Sequence, residues 1–330
     1  MKLEPISITH LNHRSYYFRG NLVASQDGSI SILDENFSIL KNLQLEPEIK
    51  CVSLDLSRNR FCAVYSKLGK LFVGDFNGKL IFDGAGCHGV EECYFQDKTN
   101  LLWCINRITA EEVKCAIYDT INWNLVSELE IDDFFVDSSF SFHEVPNSNT
   151  LSLWMAAGQD GQKVFWLNLK EQNIEYIECI EEISIENTTP PAFNDLGNEF
   201  LVTDDEKLYR YEYPSINLLG TYEYPENTYI GYSLCFIESN KAIINIGEGR
   251  IFIINVDTMQ IEDEVIIKGH EPQATEVYYP KLKGDLELCT DLSYFKRYGD
   301  KIVVVYRNND DKSTEIWKDS LLIFNIKQFV

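Results

Sequence analysis

Cys87-His88 followed by Cys93 brings thiol and imidazole donors close together along the chain, a donor set that suits zinc. Zinc needs four ligands, or three plus water, and neither a Cys-x-x-Cys pair nor a second histidine lies nearby. His88 therefore reads as a loop histidine, and no metal site is expected. Nucleophilic and P-loop signatures are missing too: the sequence contains no Gly-x-Ser-x-Gly and no Walker motif. Gly84-Ala85-Gly86 and Gly247-Glu248-Gly249 read as turns. Paired carboxylates could serve glycoside hydrolysis, but among 52 acidic residues any such pair is cheap. Asp204-Asp205-Glu206 and Asn308-Asn309-Asp310-Asp311 are rich in oxygen donors, yet neither has the spaced Asp-x-Asp-x-Asp-Gly form of a calcium loop. No cofactor is expected.

The chemistry that stands out is charge. The 330 residues carry 52 acids against 29 bases, a net charge of −23. That excess argues against binding a nucleic-acid backbone, which needs clustered Lys and Arg. It argues equally against an anionic membrane surface. No run approaches 18 uninterrupted apolar residues, and Met1 to Ile8 has neither the apolar core nor the cleavage site of a secretory signal. The nine cysteines (51, 62, 87, 93, 104, 115, 179, 235 and 289) are odd in number and mostly sit in apolar runs such as Phe61-Cys62-Ala63-Val64. Free thiols behave this way as small core hydrophobes. A cytosolic chain with reduced cysteines is the expectation.

The elements that must position these groups are short strands. No window of a dozen residues shows an apolar stripe at helical spacing. Instead, β-branched and aromatic runs of roughly five to eight residues alternate with Gly, Asn, Asp and Ser, the pattern of a sandwich, barrel or propeller. The pattern repeats in units of four strands, with middle-hairpin turns near residues 27, 68, 111, 160, 205, 248 and 311. A period of roughly 40–50 residues with four strands per unit is the propeller signature. The expectation is one all-β domain over 1–330, a seven-bladed β-propeller of four-stranded antiparallel blades. The blades fall near 10–45, 49–83, 90–131, 138–180, 190–224, 229–267 and 286–326. An N-terminal strand over 4–9 completes the last blade and closes the ring, which removes a sheet edge. The longer final interval, from 248 to 311, is assigned to loops at Glu271 to Lys283 and Arg307 to Trp317.

In this layout the sequence resembles the WD40-type β-propellers. Gly269-His270 follows the outer strand of the sixth unit, where that family carries Gly-His. Leu33-Asp34, Tyr118-Asp119 and Val256-Asp257 end third strands, where the family carries Trp-Asp. The resemblance covers most of the chain as an architecture. It implies a platform for protein–protein interaction, catalysis being a property of some other propeller families, and a His270 that hydrogen-bonds within its blade. His10 and His13 flank the ring-closing segment and read as structural or loop residues.

In an up-and-down blade, the second-to-third turn and the blade-to-blade linker lie at one end, and the other two turns at the opposite end. The first set carries Asp27, Glu46, Glu48, Asp132, Asp133, Asp160, Glu181, Glu182, Asp204, Asp205, Glu248, Asp310 and Asp311, among other acids. The second carries Arg58, Arg60, Lys79, Lys98, Lys170, Lys241, Lys296, Arg297 and Lys301, with fewer acids. Charged loops are ordinary solvation. The functional reading is a strongly negative face that docks a basic protein at the channel mouth, since a focused field of one sign raises encounter rates. A non-catalytic interaction module follows, in its sharpest form an immunity-type inhibitor of a basic toxin or nuclease. A hydrolase or lyase at the channel mouth and a structural subunit of a larger assembly are the alternatives. The sequence does not set the oligomeric state.

Overall fold

The computed structural model describes residues 1–65, 69–84, 89–96, 99–109, 112–131, 139–156, 162–171, 173–179, 189–204, 206–225, 230–246, 249–276, 286–289, 292–308 and 318–330. Seven successive sheets, each with four antiparallel strands at its heart, make the chain an all-β seven-bladed β-propeller. Contacts gather it into two compact units, Leu11–Ile185 and Met1–His10 with Glu186–Val330.

The first unit holds blades one to four. Blade one is Tyr17–Arg19, Leu22–Ala24, Ser29–Leu33 and Ile39–Gln44. Blade two is Ile49–Asp55, Arg60–Tyr65, Lys70–Asp75 and Leu80–Phe82. Blade three is Val90–Phe95, Leu101–Thr109, Glu112–Asp119 and Asn124–Ile131. Blade four is Ser139–Glu144, Leu151–Ala156, Gln162–Lys170 and Asn173–Cys179.

The unbroken apolar runs of the second strands have a simple cause. Successive side chains on a strand point to opposite faces, and each of these strands is buried on both. In Arg60–Tyr65, Phe61 and Ala63 join the core shared with blade one, while Cys62 and Val64 join the core shared with blade three. In Leu101–Thr109, Leu102 and Cys104 face blade two, and Trp103 and Ile105 face blade four.

The second unit holds blades five to seven. Blade five is Ala192–Phe193, Glu199–Thr203, Lys207–Glu212 and Leu218–Glu223. Blade six is Ile230–Glu238, Lys241–Ile246, Ile251–Asn255 and Gln260–Ile267. Blade seven is Leu292–Tyr298, Lys301–Asn308 and Lys318–Asn325, completed by Ser7–His10 paired antiparallel to the last of these. That pairing is the expected ring closure, begun three residues later than the sequence reading placed it. Lys2–Leu3 adds a parallel fifth strand to blade six, a feature too short to leave a pattern. Gln273–Glu276, in the segment read as loop, pairs as an antiparallel hairpin with Leu286–Cys289, in the stretch read as the start of blade seven, whose first strand is Leu292–Tyr298.

Asp residues build the third turn of several blades. Asp34 Oδ1 accepts the backbone N–H groups of Asn36 and Ser38 at 2.8 and 2.9 Å, and Asp75 Oδ1 does the same for Asn77 and Lys79. Asp119 Oδ1 accepts from Ile121 N at 2.8 Å. In blade six this role falls to Asn255, which accepts from Asp257 and Thr258, so the turn begins two residues before the expected Asp257. A left-handed residue closes each of these turns: Phe37, Gly78, Trp123 and Met259 have φ of 62°, 79°, 59° and 51°. Two of these bind the preceding blade. Trp123 stacks on Phe82 with centroids 4.8 Å apart, and Met259 packs over Gly220. Such a position favours glycine, so packing holds these large side chains there.

Candidate docking surface

The second-to-third turn of blade one is built around Gly28, at φ +90°. A Cβ there would stand 2.3 Å from Leu45 O and 2.7 Å from Glu46 O, so this turn needs glycine and lies directly against the linker to blade two. Leu45 N–H donates to Gly28 O at 2.9 Å, Glu48 N–H donates to Gln26 O, and the Gln44 side chain donates to Asp27 O at 2.8 Å. These bonds put Asp27, Glu46 and Glu48 on one patch. Asp27 and Glu46 are exposed and Glu48 is half-buried. Partial burial works against the Asp27 charge. Hydrogen bonds from Ser29 and Ser25 and the nearby His13 outweigh it and hold the carboxyl below its ordinary value. Tyr65, at the adjoining end of blade two, has its phenol pushed up by burial and by the Glu46 charge.

Asp204 is a correction. It is fully buried, and its carboxylate serves its own turn. Oδ1 accepts the N–H groups of Glu206 and Lys207 at 2.8 and 2.7 Å, and Oδ2 accepts the Tyr209 hydroxyl at 2.9 Å. A carboxylate so enclosed cannot face a partner. The other residues of the expected acidic set, Asp132, Asp133, Asp160, Glu181, Glu182, Asp205, Glu248, Asp310 and Asp311, lie outside the described residues.

Bases assigned to the opposite end are drawn into ion pairs. Arg58 and Arg60 meet Asp55 at 3.2 and 2.8 Å, Lys241 meets Glu262 at 3.2 Å, and Arg297 meets Asp195 at 2.7 Å. Acids on the strands are likewise paired, Glu91 with Lys50 and Arg107, and Glu264 with Arg250. Local pairing therefore makes the contrast between the two ends smaller than the residue types suggest.

The histidines are dispersed. His10 Nδ1 lies 2.9 Å from Ser320 Oγ, and His13 Nε2 lies 2.9 Å from Ser31 Oγ. The His270 ring packs edge-on against Tyr306 of blade seven, centroids 4.3 Å apart, so its ring contact is with the next blade. Cys87 and His88 lie outside the described residues. Among the described residues, no group of three or more His, Cys, Asp or Glu side chains is arranged to hold a metal ion.

Two clusters escaped the sequence reading. Arg19 reaches Glu92 at 2.7 Å and Ser141 Oγ at 3.2 Å, and Ser141 Oγ lies 2.9 Å from His143 Nε2. Cys51, Cys62 and Cys93 bring their sulfurs together. The signal for the first was a charged residue inside each of two short strands.

The chain matches no protein-family model, and a search of the curated proteins finds no match. Among solved structures it is similar to the β-propeller domain of Myceliophteria thermophila Cps50 (Swd1). The TM-score is 0.60 at 11% identity, over 95% of this chain and 97% of that one. The fold is that of a WD40-like β-propeller. At this identity the likeness speaks for the fold alone, a fold that hosts many functions.

Proposed function

We propose that this WD40-like propeller is a non-catalytic interaction module that acts in the cytosol and docks a basic protein through the acidic patch of blade one. The observation that carries the reading is the grouping of Asp27, Glu46 and Glu48, set by the contact between the Gly28 turn and the linker. Hydrogen bonds that favour the carboxylate outweigh its partial burial and hold Asp27 below its ordinary value, so it carries its charge at neutral pH. A fixed set of like charges steers a basic partner and fixes its register more than it adds raw affinity. A basic toxin or nuclease masked in this way is the partner that best matches a net charge of −23.

The test is affinity capture from the source cells at rising ionic strength, comparing the wild type with the triple variant Asp27→Lys, Glu46→Lys, Glu48→Lys. A basic protein held at low salt, released by salt and lost in the variant supports the reading. A partner that ignores both salt and charge reversal overturns it.

A further inference from the structure

The seam between blades two and three holds four thiols, Cys51, Cys62, Cys93 and Cys104, and Cys93 meets two of the others sulfur to sulfur. Cys51 comes from Ile49–Asp55, Cys62 from Arg60–Tyr65 and Cys93 from Val90–Phe95. Cys93 Sγ lies 3.2 Å from Cys62 Sγ and 3.5 Å from Cys51 Sγ, and all three residues are buried and free. A disulfide bond is about 2.05 Å long, so joining Cys62 to Cys93 asks for an approach of little more than an ångström. Filling the core explains three small apolar residues here. It does not require that the three sulfurs touch across two blades.

We propose that Cys93 is the hub of a hydroperoxide-driven staple between blades two and three, with Cys62 its first partner and Cys51 its second. The step balances with one hydroperoxide. A thiol sulfur, as thiolate, attacks a peroxide oxygen. An S–O bond forms, the O–O bond breaks and, with hydrogen peroxide, one water leaves. The neighbouring sulfur then attacks the sulfenic sulfur. The S–S bond forms, the S–O bond breaks, and the hydroxyl leaves with the second thiol proton as another water. Two thiols have given up two electrons and two protons, and the peroxide has become two waters.

Burial pushes all three thiols up, so the closed seam holds them protonated and the staple forms slowly, in response to sustained oxidant. Arg19 pulls Cys51 and Cys62 back down. Cys115 is also buried but has burial as the sole cause of its rise, which makes it an internal control.

The test is to expose the folded full-length chain to hydrogen peroxide, block remaining thiols with an alkylating agent under denaturing conditions, and map peptides without reduction. The expected product is a Cys62–Cys93 linkage, lighter than the reduced pair by two hydrogens, with Cys115 alkylated. The melting temperature rises on oxidation and falls back with dithiothreitol. In Cys62→Ala the linkage moves to Cys51–Cys93, and in Cys93→Ala neither linkage forms. Wild-type thiols that stay reduced, oxidise without linking, or link through Cys115 overturn the proposal, and that map needs no variant to fold.

Discussion

The guanidinium of Arg19, on the first strand of blade one, lies 2.7 Å from the carboxylate of Glu92, on the first strand of blade three. It also donates to Cys93 O at 2.9 Å and to Ser141 Oγ of blade four at 3.2 Å. One side chain thus ties together the first strands of three blades. Burial works against the Arg19 charge, but the Glu92 carboxylate outweighs it and keeps the guanidinium charged.

Removing one partner leaves the other charge enclosed. Arg19→Met or Glu92→Leu is expected to lower stability by about 3–5 kcal/mol, whereas the two together are expected to cost less than the sum. Urea unfolding of the four proteins measures this. Single variants within about 0.5 kcal/mol of wild type would show that the tie is ornamental.

Trp123 is held in the left-handed region by its stack on Phe82 and by Arg60, which lies 5.4 Å over its ring. Trp123→Ala loses that packing and keeps the unfavourable backbone, so a loss of about 1–3 kcal/mol is expected. Trp123→Gly loses the same contacts but is free of the backbone penalty, and it should be more stable than the alanine variant by about 1 kcal/mol. The opposite order in thermal unfolding would contradict the assigned turn.

Alkali should weaken the fold. Burial pushes the Cys235 thiol up from its ordinary 9.0 to about 12, and burial with the Asp204 hydrogen bond raises the Tyr209 phenol. Where the folded pKa is the higher, the native state holds a proton that the unfolded chain has lost. Stability is full below the unfolded value and declines as pH climbs towards the folded one. Urea midpoints measured on either side of pH 9.0 should fall, and Cys235→Ala should flatten that fall. An unchanged slope in the variant would contradict the assignment.

Asp204→Asn separates structure from docking. It disturbs a buried carboxylate that accepts three hydrogen bonds, so a loss of about 1–3 kcal/mol is expected. Partner capture by the folded variant should match wild type. Capture lost with the fold intact, as judged by circular dichroism, would return Asp204 to the docking surface.

The architecture was legible because every blade repeats the same local chemistry. Asp27-Gly28 marks the middle turn of blade one, and the stretch placed from 49 opens on the strand Ile49–Asp55. Phe37 carries no such mark: it is apolar yet forms the left-handed close of a turn, and the strand starts at Ile39. Asp204 misled. Asp-Asp-Glu reads as a solvated turn, and only tertiary packing decides which carboxylate turns inward. Arg19 and Glu92 are 73 residues apart, and the Cys62 and Cys93 sulfurs 31 apart, so no local pattern joins them. The acidic patch was partly legible: sequence placed Asp27, Glu46 and Glu48 at one end of the blade, and the Gly28 contact brings them together.

The most direct test of the docking account is the affinity of the captured partner, purified, for wild type and for the Asp27→Lys, Glu46→Lys, Glu48→Lys variant over a salt series. The account predicts an affinity that falls steadily with salt and is weakened by about tenfold or more in the variant at low salt, a change of about 1.4 kcal/mol. Equal affinities for the two proteins, or an affinity that salt does not move, would contradict it.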